Sequence, residues 1–344
     1  MTNSPTNTDR RSFLQFLTML GVGGQVLLQT RNVSAAETAA RAAADNAAWP
    51  GMTYRTLGRT GFRASRLVYG CGSALSKRPN EALLNVALQA GVNVYDVGYS
   101  GFYGDAERNL SAFARQHRDE IFLISKAHVG VDADEEVTTA VARRAAATWT
   151  AYMDGSLKEL DTDHIDAYYQ MAANNPGIVR ADEMQRAFEE AKTAGKVSWL
   201  GLSTHENAQE CLEAAIEAGC YDLAMIAITP AGWFDWNSGK ILSRRGDMVH
   251  LQPLLDRARE AGIGLVGMKA GRLLAGRRWG FGADRTLYDR FYDPAFLEAD
   301  LSAFQRSYAY VLEHGLDVVN ADIQDYTVLK ENFVAAATSQ EYFA

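Results

Sequence analysis

Aspartate, tyrosine and lysine side chains lie at the ends of neighbouring apolar segments of this chain. Asp96 ends the segment NVYD, and Lys126 ends the segment FLISK. Two tyrosines, Tyr99 and Tyr103, follow Asp96 in the next polar stretch. In a barrel of parallel strands, polar groups at the carboxyl ends of the strands converge on one face. If these segments belong to one barrel, the three side-chain types meet at that face.

A tyrosine beside a lysine and an aspartate has the composition of an acid–base catalyst. A free phenol has a pKa near 10 and exchanges protons poorly at neutral pH. A nearby ammonium stabilises the phenolate, so we expect Lys126 to lower that pKa. Such a tyrosine can protonate a carbonyl oxygen as hydride arrives from a nicotinamide. Tyr99 and Tyr103 are rivals for this role, and a purely structural ion pair between Asp96 and Lys126 is the alternative.

The elements that position these residues are predicted by two alternating patterns from Trp49 onward. Short runs rich in β-branched or aromatic residues predict strands, and longer segments of helical period separate them. The eight strand-like runs are Arg66–Gly70, Val92–Val97, Ile121–Lys126, Ile165–Met171, Val197–Leu202, Leu223–Thr229, Gly264–Lys269 and Val318–Ile323. The helical segments include Asn80–Ala90, Thr138–Leu160, Ala181–Ala194, Ala208–Ala218, Leu251–Ala261 and Leu301–His314.

Five of these helical segments end at a glycine a short distance before the next strand. The glycines are Gly91, Gly195, Gly219, Gly262 and Gly315. Glycine there adopts the left-handed conformation that ends a helix. Eight such units predict an α/β fold, a closed (β/α)8 TIM barrel. A doubly wound sheet is the alternative, but it requires a glycine-rich phosphate loop after the first strand, and GCGS lacks the full pattern.

An N-terminal β-hairpin precedes the first predicted barrel strand. The segment MTYRTLGRTGF, Met52–Phe62, carries Gly58 and Gly61 at its turns. We expect this hairpin to close the bottom of the barrel.

Residues 1–48 do not have the pattern of the barrel. Arg10 and Arg11 open the segment DRRSFLQ, an apolar run 16–28 follows, and small residues at 33–35 offer a cleavage site. DRRSFLQ resembles the twin-arginine consensus. We therefore predict a twin-arginine signal peptide at 1–35, a linker at 36–48 and a barrel at 49–344. The signal predicts the Tat translocase as a partner and a periplasmic or otherwise exported protein, with an uncleaved membrane anchor as the alternative.

Composition excludes several classes of function. The formal net charge is -8 and the sequence pI is about 5.4, whereas nucleic-acid binding needs a basic face. Only three cysteines are present, none of them in a CxxC pair, so we predict neither a disulfide framework nor a metal or iron–sulfur site.

Several segments together resemble the aldo/keto reductase family. GVNVYDVGYSGFYGDAER resembles its signature, in which an aspartate precedes a YG-x-x-E run. FLISKAH, GKVSWLGLSTHEN, AGIGLVGMKAG and DYTVLKENFVAAA resemble further segments, so the likeness spans roughly Trp49 to the C-terminus. The resemblance implies that Asp96, Tyr103 and Lys126 are the catalytic residues. The Asp96–Tyr103 spacing is two residues longer than usual, but Gly104 and Glu107 favour Tyr103 over Tyr99.

The resemblance also implies a cofactor, NADP or NAD. The candidate cofactor-binding residues are Gly72, Asp96, Ser203, Thr204, Met225, Lys269, Gln324, Glu331 and Asn332. Four positions depart from the family pattern: Thr204 replaces an asparagine, Met225 a glutamine, Ile228 a stacking aromatic, and Gln324 an arginine. Loss of that arginine removes the best partner for a 2′-phosphate.

A further departure affects the catalytic site itself. The family histidine at the end of the fourth strand is Met171 here, and methionine does not donate a hydrogen bond to a carbonyl oxygen. His128 is a candidate replacement, whereas we expect His205 to face solvent. The loops Thr229–Arg245 and Lys269–Asp293 are long. They hold aromatic residues that can line a pocket for a carbonyl compound or a sugar ring, with a hydrophobic lid or partner surface as the alternative: Trp233, Trp236, Trp279, Phe281, Tyr288 and Tyr292.

Two functional hypotheses follow. The first is an exported NAD(P)-dependent oxidoreductase of aldo/keto reductase type that acts on a carbonyl or alcohol substrate, with tyrosine as the general acid or base. The alternative is a catalytically silent barrel that serves as a binding or structural protein of the cell envelope. Nicotinamide binding separates them.

Overall fold

Eight parallel strands close into a barrel in the computed structural model, which describes residues 49–276 and 282–343. The predicted signal peptide and linker, and with them Trp279 and Phe281, lie outside the described residues. In chain order the strands are β1 (Tyr54–Thr56), β2 (Arg63–Ser65), β3 (Leu67–Gly70), β4 (Val94–Asp96), β5 (Phe122–His128), β6 (Ile165–Met171), β7 (Val197–Thr204), β8 (Leu223–Thr229), β9 (Gly232–Asp235), β10 (Lys240–Ile241), β11 (Gly264–Met268) and β12 (Val318–Asp322).

The barrel order follows the chain and closes on itself. The neighbours run β3-β4-β5-β6-β7-β8-β11-β12, and β12 pairs with β3 to complete the ring. All eight predicted barrel strands are present, so the prediction of a TIM barrel is confirmed and that of a doubly wound sheet is wrong. The first barrel strand begins at Leu67 rather than at Arg66.

Each barrel strand is buried on both faces, and alternate residues point to different cores. On β8, Leu223, Met225 and Ala227 face the barrel interior, whereas Ala224 and Ile226 pack against the outer helices. This explains why the strands are continuous apolar runs instead of alternating apolar and polar residues. The same parity decides which side chains reach the mouth of the barrel.

The outer layer consists of helices that alternate with the strands. They are α1 (Gly72–Leu75), α2 (Glu81–Gln89), α3 (Ser100–Tyr103), α4 (Ala106–Gln116), α5 (Thr139–Glu159), α6 (Pro176–Val179), α7 (Asp182–Thr193), α8 (Ala208–Ala218), α9 (Met248–Glu260), α10 (Pro294–Leu297), α11 (Ala303–Glu313) and α12 (Tyr326–Thr338). All five predicted helix-ending glycines have a positive φ. Among the described residues no helix is long and apolar enough to cross a membrane.

The N-terminal hairpin seals the bottom of the barrel. Tyr54 pairs with Ser65 in an antiparallel register, so the hairpin extends beyond the predicted end at Phe62. Gly58 lies at its turn with φ +52°, and a Cβ there would collide with the backbone of Gly264. The predicted position of this hairpin at the barrel bottom is confirmed.

A second hairpin, β9–β10, follows β8 and lies over the mouth of the barrel. β9 pairs antiparallel with β8 and with β10. The segment Thr229–Arg245 is therefore not simply the long loop that the sequence predicted. Phe234 and Trp236 from this hairpin belong to the cluster of side chains that fills the barrel interior. The hairpin thus covers the face where the strands end.

Candidate active site

A buried ion pair forms the centre of the barrel mouth. Asp96 ends β4 and Lys126 lies on β5, and the Lys126 ammonium donates a hydrogen bond to Asp96 Oδ1. Their exposed fractions are only 5% and 4%. The second carboxylate oxygen, Oδ2, accepts a hydrogen bond of 2.6 Å from Asn320 Nδ2. Asp96 is thus held from two sides, by a cation and by an amide.

Tyr103 lies next to this ion pair. Its ring centroid is 5.8 Å from Lys126 Nζ. Gly72 and Gly98 make room for the ring, since a Cβ on either would come within 2.5 Å or 2.9 Å of it. Tyr99 instead packs against Tyr152, with ring centroids 4.5 Å apart. The described ring contacts therefore place the Tyr103 ring beside the lysine ammonium and the Tyr99 ring beside Tyr152.

Burial raises the pKa of Tyr103, and the nearby carboxylates of Asp96 and Asp322 raise it further. The expectation that the ammonium would lower this pKa is therefore wrong. Desolvation disfavours a phenolate, and two anions disfavour it again. The phenol keeps its proton at neutral pH, which suits a group that donates a proton to a developing alkoxide.

A buried carboxyl group, Glu107, lies behind Lys126. Glu107 is 1% exposed and accepts a hydrogen bond of 2.6 Å from Ser125 Oγ, on the strand residue preceding Lys126. Burial raises its pKa, while hydrogen bonds from Ser125 and Ser156 act in the opposite direction. Glu107, the glutamate of the signature-like segment, supports the strand that carries the lysine.

Two cations lie at the opposite side of the mouth, after β11. Lys269 Nζ is 4.8 Å from the centroid of the Trp236 ring, and the Arg272 guanidinium is 5.3 Å from it. Burial, together with the Arg272 charge, lowers the pKa of Lys269 to about 8. Lys269 has a φ of +68°, a left-handed conformation that costs energy for a residue with a side chain. Such strain is found preferentially at functional sites.

The predicted cofactor residues fall into two groups. Ser203 and Met225 are on the inward faces of β7 and β8, and Ser203 Oγ is buried with no hydrogen-bond partner among the described residues. The Thr204 hydroxyl instead donates to the backbone oxygen of Glu206, at 2.6 Å. Because side chains alternate between the two faces of β7, Ser203 points to the mouth of the barrel and Thr204 points away from it.

The predicted residues at the C-terminus are held by neighbouring contacts. Glu331 accepts a hydrogen bond of 2.5 Å from Ser302 Oγ, at the start of α11. Asn332 donates to the Val328 backbone oxygen within its own helix, at 2.8 Å. Gln324 Nε2 donates to Asp322, at 2.9 Å. The described contacts of Glu331 and Asn332 thus lie within the C-terminal helices and not at the ion pair.

Two histidines flank the position where Met171 replaces the family histidine. Met171 is 3% exposed and pairs in register with His128 on the adjacent strand. His205 follows β7 with the inward parity of Ser203, and its ring contacts Trp236 edge-on. The expectation that His205 faces solvent is wrong. Burial, with the charges of Lys269 and Lys126, lowers the pKa of His205 to about 3.

The neutral state of His205 predicts acid sensitivity. In the unfolded chain this imidazole takes up a proton near pH 6.5, whereas the folded protein excludes the proton down to about pH 3. The unfolded state therefore gains protons as the pH falls below 6.5, and stability falls with it. Between pH 7.5 and pH 5 we expect the wild type to lose about 2 kcal/mol more than His205→Gln does.

Urea denaturation of both proteins at the two pH values measures this difference. His250→Gln is the matched control, because the His250 side chain is 73% exposed. Equal acid sensitivity of the wild type and His205→Gln would show that His205 is not held neutral in the folded protein.

Of the predicted pocket aromatics that are described, only Trp236 belongs to the interior cluster. Trp233, Tyr288 and Tyr292 are buried in the outer core between barrel and helices. Trp233 nevertheless lines a small cavity together with His205 and Phe234. Trp236 reaches the mouth because the unpredicted hairpin turns it inward.

Sequence reasoning missed Asn320 and Asp322 at this site. Both lie on β12 with the inward parity of Val318. Polar residues at alternate positions of an apolar strand are the signal that would have indicated them. Asp322 accepts a hydrogen bond of 3.1 Å from the backbone of Ala74 and therefore ties β12 to α1.

The described residues form a TIM barrel with a candidate acid–base group at the carboxyl ends of its strands, and the comparisons identify the family. The model of the aldo/keto reductase family matches residues 67–270. This match covers more than half of the chain, so the chain belongs to the aldo/keto reductase family. The family generally uses NAD(P)H and acts on small carbonyl compounds, and the chain is an oxidoreductase of this type.

Individual relatives are distant. The chain is 28% identical to an uncharacterized oxidoreductase of Bacillus subtilis, YrpG, over 66% of this chain and 69% of that one. It is 29% identical, over 50% of this chain and 52% of the other, to a protein of Oryza sativa named a probable voltage-gated potassium channel subunit beta.

Solved structures show the same fold. Two structures assigned as an aldo-keto reductase of Pseudomonas aeruginosa superpose with TM-scores of 0.57 and 0.55. Each is 21% identical to this chain and covers 83% of it, and the match spans 96% and 95% of those chains.

Proposed function

We propose that this protein is an exported NAD(P)-dependent oxidoreductase that interconverts a small carbonyl compound and its alcohol, with Tyr103 as the general acid or base. The observation that carries the proposal is the placement of Tyr103 beside Lys126, whose ammonium is paired with buried Asp96. Bound cofactor would supply or accept the hydride. The remaining chemistry is proton transfer, which belongs to the side chains of this chain.

In the reductive direction Tyr103 donates its proton to the oxygen of the substrate. The raised pKa of the phenol keeps that proton in place until negative charge develops on the oxygen. The Lys126 ammonium, whose Nζ is 5.8 Å from the centroid of the Tyr103 ring, stabilises the phenolate that remains. Asp96 keeps the ammonium oriented and compensates its charge in a site from which water is largely excluded.

The residues at the mouth fit a nicotinamide dinucleotide. The buried Ser203 hydroxyl has no partner among the described residues and suits the carboxamide. Lys269 and Arg272, both next to Trp236, provide the positive charge that a pyrophosphate requires. We propose that these residues hold the cofactor, and that Gln324 in place of an arginine weakens selection for a 2′-phosphate.

Lys269 gives cofactor binding a pH dependence of predictable sign. Its ammonium is present below pH 8 and is lost above it, so affinity for the anionic cofactor falls as the pH rises from 7 to 9. A charge-assisted hydrogen bond contributes about 1.5–3 kcal/mol, so Lys269→Met weakens binding roughly 10–100-fold and flattens the pH dependence. Lys240→Met, on the exposed end of the hairpin, is the control.

Titration with NADH and NADPH, each followed by its fluorescence, tests the proposal directly. Binding of either supports an oxidoreductase, and the ratio of the two affinities measures 2′-phosphate selection. If neither binds at millimolar concentration while circular dichroism shows an intact fold, the proposal fails. The alternative, a catalytically silent binding or structural protein of the cell envelope, is then supported.

Export is proposed from the sequence of residues 1–35 alone. Arg10 and Arg11 support the twin-arginine route, which carries proteins that fold, often around a cofactor, before they cross the membrane. A fusion of residues 1–48 to a reporter that is already folded tests this. Transport of the reporter that depends on the Tat translocase supports the proposal, and retention of the reporter in the cytoplasm contradicts it.

A further inference from the structure

Asn320 makes a contact with the catalytic centre across an intervening strand. It lies on β12, whereas Asp96 lies on β4, and β3 runs between them. In the register of these strands, Gly70 on β3 lies opposite Asp96 on one side and Asp322 on the other. The Asn320 side chain reaches past Gly70, and its Nδ2 is 2.6 Å from Asp96 Oδ2.

The absence of a side chain at Gly70 permits this contact. A Cβ built on Gly70 would lie 2.6 Å from Asn320 Oδ1 and 2.6 Å from the backbone oxygen of Ala321. Any larger residue would therefore displace the amide from the path to Asp96. The glycine and the asparagine form one arrangement that delivers a donor to the carboxylate.

The orientation of the amide is fixed by its surroundings. Only the Nδ2 group can donate to a carboxylate, and a flipped amide would place its oxygen against Asp96. The second hydrogen of the same group faces Met225 Sδ at 3.6 Å, a weak acceptor. Asp96 and Met225 together therefore select the donor orientation.

We propose that Asn320 is a positioning residue that fixes the orientation of the Asp96 carboxylate, so that its oxygen Oδ1 faces Lys126. Occupation of Oδ2 by the amide leaves Oδ1 for the ammonium. The ammonium is thereby held beside the Tyr103 ring. Asn320 itself acts through Asp96 and Lys126. The inference rests on the proposed role of Tyr103 and Lys126 in proton transfer.

The kinetic test compares Asn320→Leu, which has similar volume and no donor, with Asn320→Gln, which keeps an amide. The reaction is reduction of 4-nitrobenzaldehyde by NADH or NADPH, followed from pH 6 to pH 10. For Asn320→Leu we expect kcat to fall about 10–100-fold, the size expected for the loss of a hydrogen bond to a charged group, with KM changed less than about two-fold. Asn320→Gln, which keeps the donor, recovers part of the loss in kcat.

Asn93→Leu controls for stability alone. Asn93 Nδ2 donates to the Arg63 backbone oxygen at 3.0 Å, at the opposite end of the barrel. This variant loses a half-buried amide without touching the site, so its kcat and KM stay within about two-fold of the wild type. A fall in kcat of the same size in Asn93→Leu and Asn320→Leu would overturn the inference.

A second measurement separates this inference from the proposed function. Reductive methylation with formaldehyde and cyanoborohydride, read at Lys126 by peptide mass spectrometry, reports how tightly the ammonium is held and needs no turnover. Faster labelling of Lys126 in Asn320→Leu supports the positioning role even if the wild type reduces nothing. Labelling at the wild-type rate overturns it, whatever the activity.

Discussion

Tyr103→Phe is expected to lower kcat/KM for carbonyl reduction by about 10²–10⁴-fold, the range typical of a lost general acid. The substitution removes one hydroxyl and keeps the ring that fills the space between Gly72 and Gly98. We therefore expect the thermal midpoint of the variant to stay close to that of the wild type. Steady-state kinetics with matched thermal unfolding measures both.

Tyr99→Phe is the matched control for this experiment. Tyr99 lies four residues away, and its ring packs on Tyr152 instead of Lys126. We expect its kcat/KM to stay within about two-fold of the wild type, because the substitution keeps the ring on Tyr152 and the backbone hydrogen bonds to Tyr103 and Lys126. A large loss in Tyr99→Phe together with near-normal activity in Tyr103→Phe would reverse the assignment of the acid.

The fold was predictable because its signals are local. The apolar runs that became strands and the glycines that end the helices are read within a few residues, and all eight barrel strands and all five glycines were confirmed. The hairpin β9–β10 escaped prediction, since Gly232–Asp235 and Lys240–Ile241 are short and rich in aromatic and polar residues. Its pairing depends on the neighbouring edge of β8, which no local pattern records.

The site was predictable only where a strand end fixes a side chain. Asp96 and Lys126 end apolar runs, so their meeting follows from parallel strands. His205 was misplaced because the inward parity of β7 continues beyond its predicted end. Asn320 was missed because its importance depends on Gly70, a residue 250 positions earlier in the chain. Such a contact is set by the register between strands, which the sequence alone does not express.

The hairpin also bears on one position at which this chain differs from the aldo/keto reductase pattern. The sequence places Ile228 where the family has a stacking aromatic, and Ile228 packs into the outer core. Trp236 on the hairpin supplies an aromatic ring at the same mouth, and Lys269 and Arg272 lie against it. An aromatic ring at the mouth therefore comes from the hairpin and not from position 228.

Lys126→Met is expected to destabilise the protein and abolish turnover at once. The substitution leaves the Asp96 carboxylate buried, with only the Asn320 amide as a described partner. Breaking a buried ion pair by removing one partner costs about 3–5 kcal/mol, because an uncompensated charge remains. Turnover falls with it, since the cation next to the Tyr103 ring is lost. Chemical denaturation and steady-state kinetics on the same preparations measure the two effects.

Lys196→Met provides the matched control. Lys196 pairs with Asp154 at 2.8 Å, but both side chains are more than a third exposed. Such surface pairs contribute about 0–1 kcal/mol, so we expect little loss of stability and normal kinetics. Lys126→Met also distinguishes the two functional hypotheses, an oxidoreductase and a catalytically silent barrel. In an enzyme it removes activity under conditions where the variant is still folded, whereas a silent barrel loses stability alone. A folded Lys126→Met protein with wild-type turnover would exclude this lysine from the mechanism.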